Sequence, residues 1–134
     1  MTAMVTALPG FLDVVGYGGD DISFEVSLWS DTEHTEPVAI VGTSKAQVRR
    51  QKNDEEYWEL TVTVDETDDN KAMITAPSAA TREMAELACS GSFYDGDTLI
   101  SGLMFMGYWD WQQTDGGVKT YASGRFIALA EVTR

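Results

Sequence analysis

Apolar and polar residues alternate along most of this chain with a period of two. In Ile22–Trp29, Ile22, Phe24, Val26 and Leu28 alternate with Ser23, Glu25, Ser27 and Trp29, the pattern of a half-buried strand. In Tyr57–Val64, Trp58, Leu60, Val62 and Val64 alternate with Tyr57, Glu59, Thr61 and Thr63. Both runs are rich in β-branched and aromatic side chains, which suit a pleated surface. Shorter strands are predicted at Val38–Val41, Ala46–Arg50 and Lys71–Thr75, and later ones at Leu103–Gln113, Val118–Ala122 and Arg125–Thr133.

Turn chemistry punctuates these runs. Asp115-Gly116-Gly117 predicts a hairpin, Asp95-Gly96 a second turn, and Ser123-Gly124 a bulge or kink before the last strand. Asp65-Glu66-Thr67-Asp68-Asp69-Asn70 reads as a solvated loop. One stretch breaks the pattern: Pro77-Ser78 followed by Ala79–Cys89 predicts a short helix, with Ser78 as N-cap and Ala80, Met84 and Leu87 on one face. The fold class expected is therefore all-β, an antiparallel β-sandwich of about seven or eight strands with one short helix. Residues 1–20 read as an N-terminal arm and 21–134 as a single sandwich domain.

Two strands are apolar on both faces. Leu103, Phe105, Trp109 and Trp111 share one side of their strand, Met104, Met106 and Tyr108 the other. In the last strand Phe126, Ala128, Ala130 and Val132 oppose Ile127 and Leu129. A sheet with one wet face does not look like this. Either the arm and helix cover the second face, with Leu8, Phe11, Val14, Met84 and Leu87 available, or another subunit does. Under the second reading Met104, Met106, Tyr108, Ile127 and Leu129 are the interface candidates.

Charge removes several function classes. Nine Lys and Arg stand against 22 Asp and Glu among 134 residues, a net charge of −13. Nucleic-acid backbones and anionic membrane surfaces require clustered cations, so neither is an expected partner. The start carries no basic region before an apolar core, and Gly102–Trp109, the longest strongly apolar run, is too short to span a bilayer. Synthesis in a reducing cytoplasm is expected.

No catalytic set assembles from the residue types present. One histidine, His34, and one cysteine, Cys89, rule out Cys/His zinc quartets and an intrachain disulfide. His34 sits among Asp31, Glu33 and Glu36, neighbours that favour its protonated form over a neutral general base. Of the acidic clusters, the one at Asp65 does not fit the EF-hand calcium loop: counting from Asp65, the sixth position is Asn70 rather than Gly and the twelfth is Ala76 rather than Glu, and a solvated acidic loop is the expectation. Phosphate-binding and nucleophile-elbow patterns are missing too. The reading is a non-enzyme with no cofactor and no metal. Aromatic residues on strand faces leave a carbohydrate-binding module as an alternative, with Trp29 and Tyr108 as the ligand candidates.

The order of features resembles a known layout. Gly19-Asp20-Asp21-Ile22-Ser23-Phe24 opens it, followed by Glu36-Pro37-Val38, Ala46-Gln47-Val48-Arg49, the long strand and the short helix. A hairpin at Asp115-Gly116-Gly117 and the run Ser123-Gly124-Arg125-Phe126 through Glu131-Val132-Thr133 close it. This is similar to the small β-sandwich of bacteriophage tail and baseplate proteins, the type found at the N-terminus of baseplate upper proteins and in phage minor tail proteins. Glu36 departs from it where glycine is usual, and Ser90–Gly107 is a longer connection. The resemblance implies a virion component, made in the host cytoplasm, that works through repeated contacts with itself and other virion structural proteins. A capsid decoration protein has the same sequence features.

Overall fold

A computed structural model of the chain describes residues 2–5, 10–29, 33, 35–40, 43–51, 54–114 and 118–130. They form strands β1 (Thr2–Val5), β2 (Gly10–Phe11), β3 (Val14–Tyr17), β4 (Ile22–Leu28), β5 (Thr43–Arg49), β6 (Trp58–Val64) and β7 (Lys71–Ala76). Helix α1 (Ser78–Glu86) follows, then β8 (Cys89–Asp95), β9 (Thr98–Thr114) and β10 (Val118–Leu129). The chain is thus mostly β with one short helix.

The sheet is not the antiparallel sandwich expected. Its path runs β1-β4-β7-β6-β5-β9-β10-β2, with β3 also on β10 and β8 on β9. Three pairings are parallel: β1 with β4, and β2 and β3 with β10. β6 turns the corner within this path. Trp58–Leu60 pair with β5 and Thr61–Val64 with β7, so a single strand carries the ladder from one side of the core to the other. At the opposite seam the first part of the chain serves both edges, β1 on β4 and β2 and β3 on β10. There β3 approaches β4 so closely that a Cβ on Gly16 would lie 2.6 Å from Ile22. The sheet curves into a nearly closed barrel.

The core fills this curve. Phe24, Val26, Val48, Ile74, Phe105, Trp109, Trp111 and Phe126 form its buried centre. Phe24 meets Trp109 edge-on at 4.9 Å between ring centroids, and Trp58 meets Phe105 at 5.4 Å, the T-shaped geometry aromatic quadrupoles prefer. Burying Trp109 and Trp111 completely removes large apolar surfaces from water, the dominant favourable term in folding.

The expected strands over Ile22–Leu28, Trp58–Val64 and Lys71–Thr75 are present, and Ala46–Arg49 falls within β5. Other expectations need correction. The first twenty residues contain three strands, and Val14 is buried in the core. Val38–Ile40 is not a strand, although Val38 N–H donates to Leu28 O and Ile40 N–H to Asp69 O; Val41 lies outside the described residues. The two C-terminal strands are continuous as β10. Its register shift falls between Thr120 and Ala122, not at Ser123-Gly124. Gly124 has a different purpose: a Cβ there would collide with the carbonyl of Leu12. The Asp115-Gly116-Gly117 turn lies outside the described residues, while Thr114 and Val118 on either side are paired.

Helix α1 is shorter than expected, and Cys89 begins β8. Pro77, not Ser78, holds the N-cap position, and no side chain of the cap serves the first turn. A helix leaves its first amides without internal partners. Here Asp21 reaches in and accepts the Ser78 N–H at 2.7 Å. Thr81 completes the docking: its buried hydroxyl accepts the Gly19 N–H at 3.0 Å and lies 2.7 Å from Asp20 O as donor. Met84 then enters the core, fully buried.

β8 and the first part of β9 form a hairpin in perfect register, Asp95 opposite Thr98, turned by Gly96 at φ 63°. That left-handed conformation is nearly free of cost only for glycine.

Candidate functional site

The polar face of the barrel wall formed by β5, β9 and β10 holds a groove. Because side chains alternate across a strand, burying Val48, Trp109 and Trp111 inside turns Arg49, Tyr108 and Asp110 outward. The ladder then sets the rows. Tyr108 lies between Arg49 on β5 and Arg125 on β10, and Asp110 between Gln47 and Ser123. Asp13, just before β3, reaches the same groove, which encloses about 470 Å³.

Two ion pairs border it. Arg125 holds Asp13 through Nη2 at 2.7 Å and Nε at 3.2 Å, and its backbone N–H donates to the other carboxylate oxygen at 3.1 Å. These bonds hold the Asp13 carboxyl below the usual carboxylate range and raise Arg125 further. Arg49 is fixed from three directions: Nε to Asp54 O at 3.0 Å, Nη2 to Gln47 Oε1 at 2.7 Å, and Nη1 to Asp110 Oδ2 at 3.3 Å. Its guanidinium also lies 5.3 Å from the centre of the Tyr57 ring.

Asp110 is the unusual member. Burial pushes its carboxyl above the ordinary value, against the attraction of Arg49 and Lys45. Oδ2 has Arg49, whereas Oδ1 is buried and accepts no hydrogen bond from the described protein groups. A desolvated acceptor without a donor costs stability, and the site retains one.

A second hollow, of about 980 Å³, lies between the turn before β6 and the helix, lined by Asp54, Glu55, Glu56, Trp58 and Glu83 among others. Trp58 Nε1 donates to Glu83 Oε2 there at 3.0 Å. Among the described residues no group of three or more His, Cys, Asp and Glu is placed to hold a metal ion. In the acidic loop Asp65 Oδ1 instead accepts the N–H groups of Thr67 and Asp68, which lower its pKa.

The residues singled out in the sequence separate into three groups. Met104 and Ile127 are buried within the chain, packed with Phe93 of β8 in a second, smaller cluster; Met106 and Leu129 lie half-buried against it, with Val15 and Ile100. This is intramolecular cover, supplied by the β8–β9 hairpin and β3, so Met104 and Ile127 are removed from the candidate interface surface. Tyr108 remains exposed and lines the groove. Trp29 lies elsewhere, just after β4, half-buried with its indole N–H donating to Ser27 Oγ at 3.0 Å. Cys89 is exposed, and His34 lies outside the described residues.

Arg49, Arg125, Asp13 and Asp110 escaped the sequence reading as functional residues. The available clue was the polar half of the alternation in β5 and β9, where Lys45, Gln47 and Arg49 run beside Tyr108, Asp110 and Gln112. No protein-family model matches this chain, and neither does any curated protein sequence.

Proposed function

We propose that this chain is a non-enzymatic structural subunit of a bacteriophage particle, of the tail or baseplate, that works through protein–protein contacts and assembles with copies of itself. The observation that carries this reading is the β8–β9 hairpin. Its inner face supplies Phe93 and Ile100 to the second cluster, while its outer face presents Tyr94, Leu99 and Leu103, exposed by 68, 53 and 54%. Among the described residues β8 pairs with β9 alone, and Thr98–Gly102 of β9 with β8 alone. Unpaired strand edges beside exposed apolar side chains are what a protein avoids unless another chain covers them. The order of sequence features shared with phage tail and baseplate domains supports the same reading. Copies of net charge −13 repel one another in solution, and the exposed apolar side chains of the hairpin supply an attraction to set against that repulsion.

Light scattering over a concentration series tests this. A defined oligomer is expected, and the triple variant Tyr94→Ser/Leu99→Ser/Leu103→Ser should shift it to monomer with an unchanged circular dichroism spectrum. A parent protein that stays monomeric throughout refutes self-assembly. An oligomer untouched by the triple variant refutes the hairpin as its contact.

A further inference from the structure

The groove over β5, β9 and β10 has no part in that assembly reading, and its chemistry is selective. Its volume, about 470 Å³, lies within the range of roughly 300–1,000 Å³ typical of small-ligand pockets. Its four charged side chains are two cations and two anions, each neutralised by its partner: Arg49 with Asp110 and Arg125 with Asp13. An anion entering the groove meets Asp110 and Asp13, and a cation meets Arg49 and Arg125. A purely apolar ligand would take both pairs out of water and offer nothing for the hydration they lose. The ligand class that fits is neutral, with several hydroxyl groups that both donate and accept, and with a C–H face for the exposed ring of Tyr108.

Asp110 adds direction. Oδ1 is closed off from the groove, so Oδ2, 3.3 Å from Arg49 Nη1 on a side chain still 23% exposed, is the acceptor that a ligand hydroxyl meets. Arg49, immobilised by Gln47, Asp54 and Asp110, stands ready without an ordering cost. Burial raises the Asp110 carboxyl even though Arg49 is beside it. A carboxyl group perturbed in this way at the wall of a groove is characteristic of a functional position.

We propose that this groove binds one residue of a neutral sugar, a hexose or N-acetylhexosamine, with its ring on Tyr108 and adjacent hydroxyls hydrogen-bonded to Asp110 Oδ2 and Arg49. The protein would thereby carry a glycan-binding function in addition to its assembly contacts.

Saturation-transfer NMR on the full chain tests this with methyl α-glucoside, methyl β-galactoside, methyl α-mannoside, N-acetylglucosamine and N-acetylgalactosamine as probes. At least one is expected to receive saturation. Tyr108→Ala and Asp110→Asn should each weaken its Kd by about tenfold or more, the effect of about 1.4 kcal/mol, while Tyr108→Phe retains binding. Near-UV circular dichroism verifies that each variant is folded. Silence of all five sugars with the parent protein overturns the proposal. Binding that survives both Tyr108→Ala and Asp110→Asn overturns it too, because the sugar would then sit elsewhere. Displacement of a bound sugar by inorganic phosphate would convert the groove into an anion site and overturn it as well. The hairpin triple variant should bind sugar normally, so failure of the assembly reading and failure of this one are separable.

Discussion

Substituting Gly124 by alanine should loosen the seam of the barrel, and the size of the effect follows from the contacts there. An added Cβ would overlap the carbonyl of Leu12, with the Leu12 carbonyl carbon 2.6 Å away. Both are backbone atoms, so the obstacle cannot rotate aside; the segment between β2 and β3 must retreat. Two bonds depend on its position: Leu12 N–H to Ser123 O at 3.0 Å and Trp109 Nε1 to Leu12 O at 2.8 Å. Stranding the indole N–H of a buried tryptophan costs about 1–3 kcal/mol, and losing the backbone bond adds about 1. Alanine returns roughly 0.4–1 kcal/mol by restricting the unfolded chain. A net loss of about 1–3.6 kcal/mol, at about 3–4 °C per kcal/mol for a chain of this size, lowers the midpoint by roughly 3–14 °C. Thermal melting followed by near-UV circular dichroism measures it, and hydrogen exchange at the Leu12 amide should accelerate in parallel. A variant melting within about 1 °C of the parent would refute the close approach of Leu12 to β10.

Thr81→Ala removes the hydroxyl that joins the helix to Gly19 and Asp20; urea denaturation should show a loss of about 1–3 kcal/mol, and Thr81→Ser should recover most of it. Equal stability of Thr81→Ala and parent would mean those bonds contribute nothing. The two groove carboxylates should respond to pH in opposite senses. Asp13 has a depressed folded pKa, so its contribution is present above the unfolded value and is lost as pH falls through the folded one. Asp13→Asn therefore destabilises at neutral pH, and the difference fades in acid. Asp110 has a raised folded pKa, so its contribution is favourable below the unfolded value and lost as pH rises through the folded one. Asp110→Asn therefore melts no lower than the parent at neutral pH and loses any advantage as pH drops. Melting curves from neutral to acid pH, with both variants shifting in the same sense, would contradict the assignment.

Elements whose alternation reflects their own burial were legible in the sequence. β4 buries Ile22, Phe24, Val26 and Leu28 as its pattern requires, and β7 buries Ala72, Ile74 and Ala76. β8 was not legible because Cys-Ser-Gly-Ser-Phe-Tyr-Asp buries only Phe93; its strand character comes from pairing with β9, which no local pattern encodes. The three N-terminal strands are hidden for a related reason, being fixed by parallel partners outside their own stretch, β4 for β1 and the distant β10 for β2 and β3. Helix α1 has its first amide served by Asp21, 57 residues away, so reading Ser78 as a local cap placed the start one residue late. In the groove Tyr108 stood out as an aromatic on the strand face opposite Trp109 and Trp111. Its companions are ordinary surface charges in sequence, and only the registers of β5 and β10 against β9 make them neighbours.

The seam also dictates an order of events in folding. Asp13 and Arg125, which meet across it, are 112 residues apart, and among the described residues β2 and β3 pair with β10 alone. During synthesis those segments leave the ribosome early and wait for the last strand, while the β6–β7 hairpin can form at once. Contacts of such long range incur loop-closure entropy before they return any energy. Closure of the barrel is therefore the late step, and until it happens the β10 edge is open. A chain caught at that stage could accept the N-terminal segment of a neighbour in place of its own, an exchange of strands between copies. The same parallel pairing that completes one barrel is thus also the route by which two chains can become interlocked.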